Sequence, residues 1–319
     1  MIDGLLIVDK PSGPTSHDVV ARVRRALRER RIGHTGTLDP MASGVLPLVV
    51  GRATRLARFL TGDKTYDAAI RLGVETDTYD AMGRAVGDTL SGPWPAWAEV
   101  DAALGRFRGT FLQQPPAFSA KKIDGRRSYA LARRSAAELS GPVGSEEAAQ
   151  TMPAPVNVRA YAVDVLEVTA DVVRLRVSCS AGFYIRSLAH DLGAELGTGA
   201  HLIELRRTAA SGARIEQAIP LEAIQADRGF DVALAALVPM ELMLAALPSV
   251  ALTDQGVSRV RFGRDLGPAD AVQGFADAAA AAHGDPPAQV RLLDSAGRLV
   301  AVAEAAPTPG LLHPAVVML

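Results

Sequence analysis

Cysteine is all but missing from this chain of 319 residues. Cys179 stands alone, so no disulfide can close within the chain and a four-cysteine metal site is excluded. Histidine is sparse as well, and none of His17, His34, His190, His201, His283 and His313 falls in the H-E-x-x-H spacing of a catalytic zinc helix. Charge of one sign is not in surplus: 34 lysines and arginines stand against 35 acidic residues. Any surface for a polyanion must therefore be local. No G-x-x-x-x-G-K-[ST] loop occurs, and Gly197-Thr198-Gly199 does not continue as G-x-G-x-x-G, so neither phosphate cradle is available. The first ten residues lack a basic leader; their apolar run is short, with an acidic residue at each end. They predict neither a signal peptide nor a membrane span, and the expected address is the cytoplasm. There are no internal repeats and no basic low-complexity tail. A composition 48% hydrophobic and 22% charged suits one large domain and one small one.

The stretch from Gly33 to Leu48, GHTGTLDPMASGVLPL, organises the rest. Three glycines and two prolines in sixteen residues cannot propagate a helix, so this is a shaped loop. Pro40 biases Asp39 towards extended backbone and helps to aim its carboxylate. After Gly44 an apolar run enters a buried strand, in which Pro47 argues for an edge or a bulge. On composition alone an Asp-Pro in such a loop is also an ordinary turn, its carboxylate bonded to nearby amides.

Around this loop the pattern alternates strands and helices. Leu5-Leu6-Ile7-Val8 reads as a strand, and Thr15-Ser16-His17-Asp18 as a capping-box start for a helix with Val19, Val20, Val23, Ala26 and Leu27 on one face. Six arginines lie between positions 22 and 31, among them Arg22, Arg25, Arg30 and Arg31, against the single carboxylate Glu29. Such a run is either a solvated face or a phosphate-binding one. Lys121, Lys122, Arg126 and Arg127 form a second basic cluster. The spacing predicts further helices over 52–60, 97–107, 185–196 and 253–262, strands over 64–73 and 173–179, and exposed or irregular segments at 136–156 and in the alanine-rich stretch 278–283. Val290–Leu293 and Leu299–Val302 flank the turn Asp294-Ser295-Ala296-Gly297 as a hairpin. Cys179 falls on the buried face of its strand, as a small core residue rather than a reactive thiol.

Five ordered blocks over about residues 4 to 225 resemble the tRNA pseudouridine synthase B family. They are the G-H-T-G-x-L-D-P loop; K-x-Y at Lys64-Thr65-Tyr66 with the following T-x-T-x-D-x-x-G segment from Thr76; Gln114 to Tyr129; Cys179-Ser180-Ala181-Gly182-Phe183-Tyr184-Ile185-Arg186, with Phe183 where threonine is common; and Gly199-Ala200-His201 to Leu205-Arg206-Arg207-Thr208. The resemblance implies an α+β fold, with a mixed, mostly antiparallel sheet flanked by helices over residues 1–245 and a small PUA-like RNA-binding β domain over 246–319. It implies that Asp39 is the nucleophile, that Tyr66 stacks on the target base, and that Tyr184 and Leu205 line the uracil pocket. Arg186 pairs with the carboxylate, and His34 fills the space a flipped base vacates. Burial raises a carboxyl pKa and a guanidinium lowers it, so the implied role of Arg186 is to keep Asp39 ionised.

The implied activity is isomerisation of uridine 55 in the TΨC stem-loop of tRNA, without cofactor or metal, by a monomer needing no protein partner. The lack of a basic low-complexity tail favours the stand-alone type over guide-RNA-dependent relatives that work with accessory proteins. Two other readings of the residues stay open: an RNA-folding chaperone that uses the same basic surface without chemistry, and a nucleoside hydrolase or glycosidase with an aspartate nucleophile, although those usually show a second carboxylate for acid-base work.

Overall fold

Period-two alternation sets up the main sheet, because every second side chain of its strands must leave water. The computed structural model describes residues 2–117 and 153–319, together with the backbone of two short paired strands, Lys122–Ile123 and Arg126–Arg127. The basic residue Lys121 and the segment 136–152 lie outside the described residues; of Lys122, Arg126 and Arg127 only the backbone is described.

The strands are β1 (Gly4–Lys10), β2 (Ile32–His34), β3 (Ser43–Val50), β4 (Lys64–Leu72), β5 (Gly109–Gln113), β6 (Val156–Thr169), β7 (Val172–Cys179), β8 (Ala200–Ala210), β9 (Ala213–Arg214) and β10 (Ile219–Pro220). They form one sheet in the order β10-β1-β3-β8-β4-β7-β6-β5, with β2 added to β3 and β9 to β8. Only the pairings β1 with β10 and β3 with β8 are parallel; the others are antiparallel, so the sheet is mixed and mostly antiparallel as expected.

One face is covered by helices α1 (Ser16–Leu27), α2 (Trp97–Leu104) and α3 (Ile185–Glu195). Val19, Val20, Val23 and Leu27 of α1 and Leu188, Ala189 and Leu192 of α3 meet Leu6, Leu46, Leu48, Ile70 and Leu175 there. Each such side chain contributes about 1.5–3 kcal/mol by leaving water. The start of α1 is the capping box expected: the Thr15 hydroxyl accepts from the Asp18 amide at 3.1 Å, and the Thr15 amide donates to the Asp18 carboxylate at 2.8 Å. On the opposite face β4, β6, β7 and β8 carry exposed ion pairs, such as Arg176 with Asp67 and Arg174 with Glu204.

The other half of that face is apolar and meets a second sheet. This sheet contains β11 (Ser249–Leu252), β12 (Ala271–Gln273), β13 (Val290–Leu293), β14 (Leu299–Ala305) and β15 (Leu312–Val317), in the order β12-β11-β13-β14-β15. Leu5, Ile7, Val45, Val49 and Leu56 share one core with Leu299, Val302, Val316 and Met318 of this unit, and Arg52 donates to the Met318 carbonyl at 3.0 Å. The hairpin around Asp294 to Gly297 is present as β13–β14.

Two sequence-based expectations need correction. The alanine-rich stretch is no irregular loop: Phe275–Ala282 is a helix that buries Phe275, Ala278, Ala279 and Ala282. Alanine is the best helix former, and that spacing makes one continuous stripe. Pro47 marks no bulge, and β3 is an inner strand of the sheet; only at Pro47 itself does its ladder lie open on one side. It pairs with Ile7 in a regular β1–β3 ladder within the sheet. Along its other side the β3–β8 pairing is confined to Ser43 and Gly44 and the β2–β3 ladder ends at Leu48, just beyond which the Pro47 carbonyl still accepts from Thr35 N at 3.2 Å, so the missing N–H falls where the ladder stops.

Candidate active site

Between the two pairings of β3 a side chain reaches its backbone at Val45. Arg207 of β8 is completely buried, and its guanidinium donates to Val45 O at 2.7 Å, Gly36 O at 3.0 Å and Thr37 O at 3.4 Å. It thus ties the Asp39 loop to the sheet. Gly44 is required here: its φ is +104°, and a Cβ would stand 2.2 Å from the Arg207 carbonyl.

The rest of the loop is braced from the other side. Lys10, at the end of β1 and also completely buried, donates to Pro11 O at 2.9 Å, Pro40 O at 3.2 Å and Ala42 O at 2.6 Å. Burial brings its ammonium down to about 8, against the pull of the Asp39 carboxylate. The Ser16 hydroxyl donates to Leu38 O at 3.1 Å and accepts from Leu38 N at 2.9 Å. Asp39, between Leu38 and Pro40, has its backbone held on both sides, which leaves its carboxylate little freedom of direction.

The carboxylate meets Arg186, in the first turn of α3. The guanidinium Nε stands 2.9 Å from Asp39 Oδ2, and Nη2 donates to Oδ1 at 3.3 Å. Nη1 turns away, to the Thr78 carbonyl at 3.1 Å and to Asp80 Oδ2 at 3.6 Å. Asp80 is itself buried and accepts at Oδ1 from the Thr78 hydroxyl at 2.7 Å and from Met82 N at 3.0 Å. Tyr79, between these two partners of Arg186, has φ +62° and lays its ring on His190, one helical turn beyond Arg186, at 4.0 Å between centroids. A side chain other than glycine in that backbone region costs energy that its surroundings must repay.

Asp39 and Arg186 form one wall of a cavity of about 250 Å³, whose lining includes Gly36, Lys64, Tyr66, Phe183, Tyr184 and Leu205. A cavity of about 150 Å³ already admits a six-membered ring, so this one has room for a single base but not for a helix. Tyr66 stands opposite Arg207 in the β4–β8 register. Burial raises the pKa of its phenol, and the charge of Arg207 works against that rise. The peptide groups flanking Tyr184 are clasped by one buried side chain: Gln113 Oε1 accepts from Tyr184 N at 2.9 Å, and its Nε2 donates to Tyr184 O at 3.0 Å. Phe183 packs edge-on to Phe111 at 5.8 Å, which accommodates a large ring at that position.

The same family is found by comparison with known proteins. Residues 24–185 match the model of the TruB family pseudouridylate synthase N-terminal domain, and residues 186–245 that of the tRNA pseudouridylate synthase B C-terminal domain. The tRNA pseudouridine synthase B of Solibacter usitatus is 42% identical over 99% of this chain and 100% of its own, and that of Gloeobacter violaceus 42% identical over 86% and 90%. The chain belongs to the TruB family. Among solved structures, that of an H/ACA RNP bound to a substrate RNA containing 2′-deoxyuridine aligns at a TM-score of 0.67 and 26% identity, covering 99% of this chain and 85% of that one. A Cbf5-Nop10-Gar1 complex aligns at 0.65 and 30%, covering 96% and 79%.

In this TruB-family chain, then, Asp39, Tyr66, Tyr184, Arg186 and Leu205 come together around one cavity. His34 does not line it; it ends β2, with its ring edge-on to His17 at 5.4 Å. Arg22 and Arg25 lie six and nine residues along α1 from Ser16, roughly 9 and 14 Å at 1.5 Å per residue. They line a separate groove of about 630 Å³ with Arg28, Asp227 and Phe230. Arg30 and Arg31 are exposed before β2. Reading the sequence missed Lys10, Ser16, Asp80, Gln113 and Arg207 as parts of the site. Asp80 and Arg207 do fall within the blocks that carry the family resemblance.

Among the described residues no helix is long and apolar enough to cross a membrane, and no cluster of three or more His, Cys, Asp or Glu side chains is arranged to hold a metal ion. Cys179 is buried, which pushes its thiol up to about 12, far from a reactive thiolate.

Proposed function

We propose that this protein converts uridine 55 in the TΨC arm of tRNA to pseudouridine, with Asp39 as the nucleophile. The observation that carries the reading is the Asp39 carboxylate, held by the Arg186 guanidinium through an Nε contact at 2.9 Å and an Nη2 hydrogen bond at 3.3 Å on the wall of a cavity with room for one base. The reaction is an isomerisation: the N1–C1′ bond breaks, the uracil turns, C5 bonds to C1′, C5 loses its proton and N1 gains one. Nothing is oxidised or reduced, so a carboxylate nucleophile can start it without a cofactor.

A uridine stacked in a folded arm cannot reach this cavity and must flip out, with Tyr66 stacking on it and Leu205 and Tyr184 bounding it. His34, outside the cavity, is assigned to the space the base leaves. The arginines of α1 and the Lys121–Arg127 cluster are assigned to phosphates, which position the RNA without reading it. Residues 1–245 are taken as the catalytic unit and 246–319 as a PUA-like RNA-binding one. The enzyme is taken to act in the cytoplasm as a monomer without a protein partner.

The test is incubation of the purified protein with unmodified tRNA transcript, followed by mapping of pseudouridine. Conversion at position 55 is the expected result. Tight binding without conversion would return the chain to the class of RNA chaperones.

A further inference from the structure

The cavity is short of negative charge. Four cationic side chains, Lys10, Lys64, Arg186 and Arg207, converge on the Asp39 loop and the cavity, against the carboxylates of Asp39 and Asp80. Lys10 and Arg207 are spent on backbone carbonyls and are closed off from solvent, and Arg186 is shared between the two carboxylates. Lys64 differs. Its ammonium makes one long hydrogen bond, to Gly62 O at 3.3 Å, and no carboxylate oxygen of the described residues lies within 4 Å of it. The neighbouring Asp63 is engaged elsewhere, accepting from the Tyr161 hydroxyl at 2.9 Å.

Its placement is fixed by the sheet. Lys64 opens β4 two residues before Tyr66, so both side chains leave the strand on one face, and Lys64 lines the cavity beside Asp39 and Tyr66. Its stem runs over Gly36, where an added Cβ would stand 3.6 Å from Lys64 Cε and 3.6 Å from Arg207 Nη1. Burial and the Arg207 charge both lower its pKa, the condition of a cation waiting for an anion.

The geometry points to Lys64 as the receptor for a phosphodiester flanking the flipped uridine, making it a positioning residue that holds the nucleotide backbone while Asp39 and Tyr66 address the sugar and base. This rests on the proposal that a flipped uridine occupies the cavity. Lys64 supplies the anion contact that the cavity lacks, and the arginines of α1 need not be invoked for it.

The test measures binding, with T-arm stem-loops in which the linkage 5′ or 3′ of the target uridine is a neutral methylphosphonate. A 2′-O-methyl sugar keeps that linkage intact, and the control RNA carries the same sugar with an ordinary phosphate. Wild type should lose about tenfold in affinity for one of the two neutral linkages, as expected for one charge-assisted hydrogen bond. Lys64→Met should lose about tenfold on the control RNA and less than twofold more on that neutral linkage, whereas Lys64→Arg should behave as wild type. The slope of log Kd against log salt should fall in Lys64→Met by about 0.7 to 0.9. Equal sensitivity of wild type and Lys64→Met to both linkages, or unchanged affinity in Lys64→Met, would overturn the assignment and leave Lys64 as a brace for Gly62. Because every arm is read on binding, failure to form pseudouridine would sink the uridine 55 reading separately.

Discussion

Arg186 holds Asp39 with its Nε at 2.9 Å while its Nη1 faces Asp80 at 3.6 Å, so one buried guanidinium is set between two carboxylates that belong to different loops. The arrangement fixes the arginine from behind and leaves its fork directed at the proposed nucleophile. Arg186→Lys keeps the charge but loses the planar two-pronged donor. A charge-assisted hydrogen bond is worth about 1.5–3 kcal/mol, so the chemical step should slow by about tenfold to a hundredfold. Asp80→Asn keeps the shape and removes one anchor, and should cost less, about 1 kcal/mol or roughly fivefold. Single-turnover rates at saturating enzyme measure both; a wild-type rate in Arg186→Lys would refute the electrostatic role.

Asp39→Asn replaces the carboxylate by a nearly isosteric amide that cannot act as an anionic nucleophile. Isomerisation should vanish while tRNA binding stays within a few-fold, because the loop is held by Lys10, Ser16 and Arg207 through backbone atoms that the substitution does not touch. Substantial turnover, with deamidation back to aspartate excluded by mass spectrometry, would dismiss Asp39 as nucleophile.

These braces mark where the sequence stopped being legible. Asp39, Tyr66 and Arg186 lie in contiguous motifs, and the alternation of Val173, Leu175 and Val177 showed a strand without help. Lys10 reaches the carbonyl of Pro40, 30 residues on, and Arg207 that of Gly36, 171 residues back. No periodicity encodes such a contact, since a side chain that satisfies a distant carbonyl leaves no pattern in its own neighbourhood. Pro47 misled for the same reason: its missing N–H is tolerated inside the sheet because the ladders on that side of β3 end at Gly44 and at Leu48. The helix Phe275–Ala282 was misread locally, where alanine's high helix propensity should have outweighed the appearance of a low-complexity loop.

Lys10 makes a prediction about pH. Its folded-state pKa, about 8, lies below the ordinary lysine value of 10.5, so between these values the unfolded chain binds more protons than the folded one. Stability from this group therefore rises with pH across that window. The melting temperature of wild type relative to Lys10→Met should increase from about pH 8 towards about pH 10, a comparison in which the titration of other groups largely cancels. A difference that stays flat over that range would mean that the Lys10 ammonium is not depressed.

The arginines of α1 are expected to act on binding alone. Arg22, Arg25 and Arg28 line one groove, away from the Asp39 cavity. Neutralising Arg22 and Arg25 together should weaken tRNA binding and reduce the salt slope by about 0.7 to 0.9 for each phosphate no longer neutralised, with the single-turnover rate at saturation unchanged. An unaltered slope would return them to solvated surface.

Tyr66 should fail differently from Arg186. Its ring lines the cavity and its hydroxyl, within the field of the Arg207 charge, is held above the usual phenol pKa by burial, so at neutral pH it is a phenol and not a phenolate. Tyr66→Phe keeps the ring proposed to stack on the base, so capture of the flipped uridine should survive. Bond cleavage at C1′ depends on Asp39 and should survive as well. What disappears is a polar atom beside the base, which on the proposed mechanism matters only after the new C5–C1′ bond exists, when C5 must give up its proton. RNA carrying 5-fluorouridine separates the two stages, because fluorine blocks that last step for every variant. Tyr66→Phe should therefore rearrange 5-fluorouridine at close to the wild-type rate while forming pseudouridine from uridine more slowly. Should the variant fail to rearrange 5-fluorouridine at all, the hydroxyl would belong to the early, bond-breaking stage, and its place opposite Arg207 in the sheet would have to be read as part of the machinery that aims Asp39.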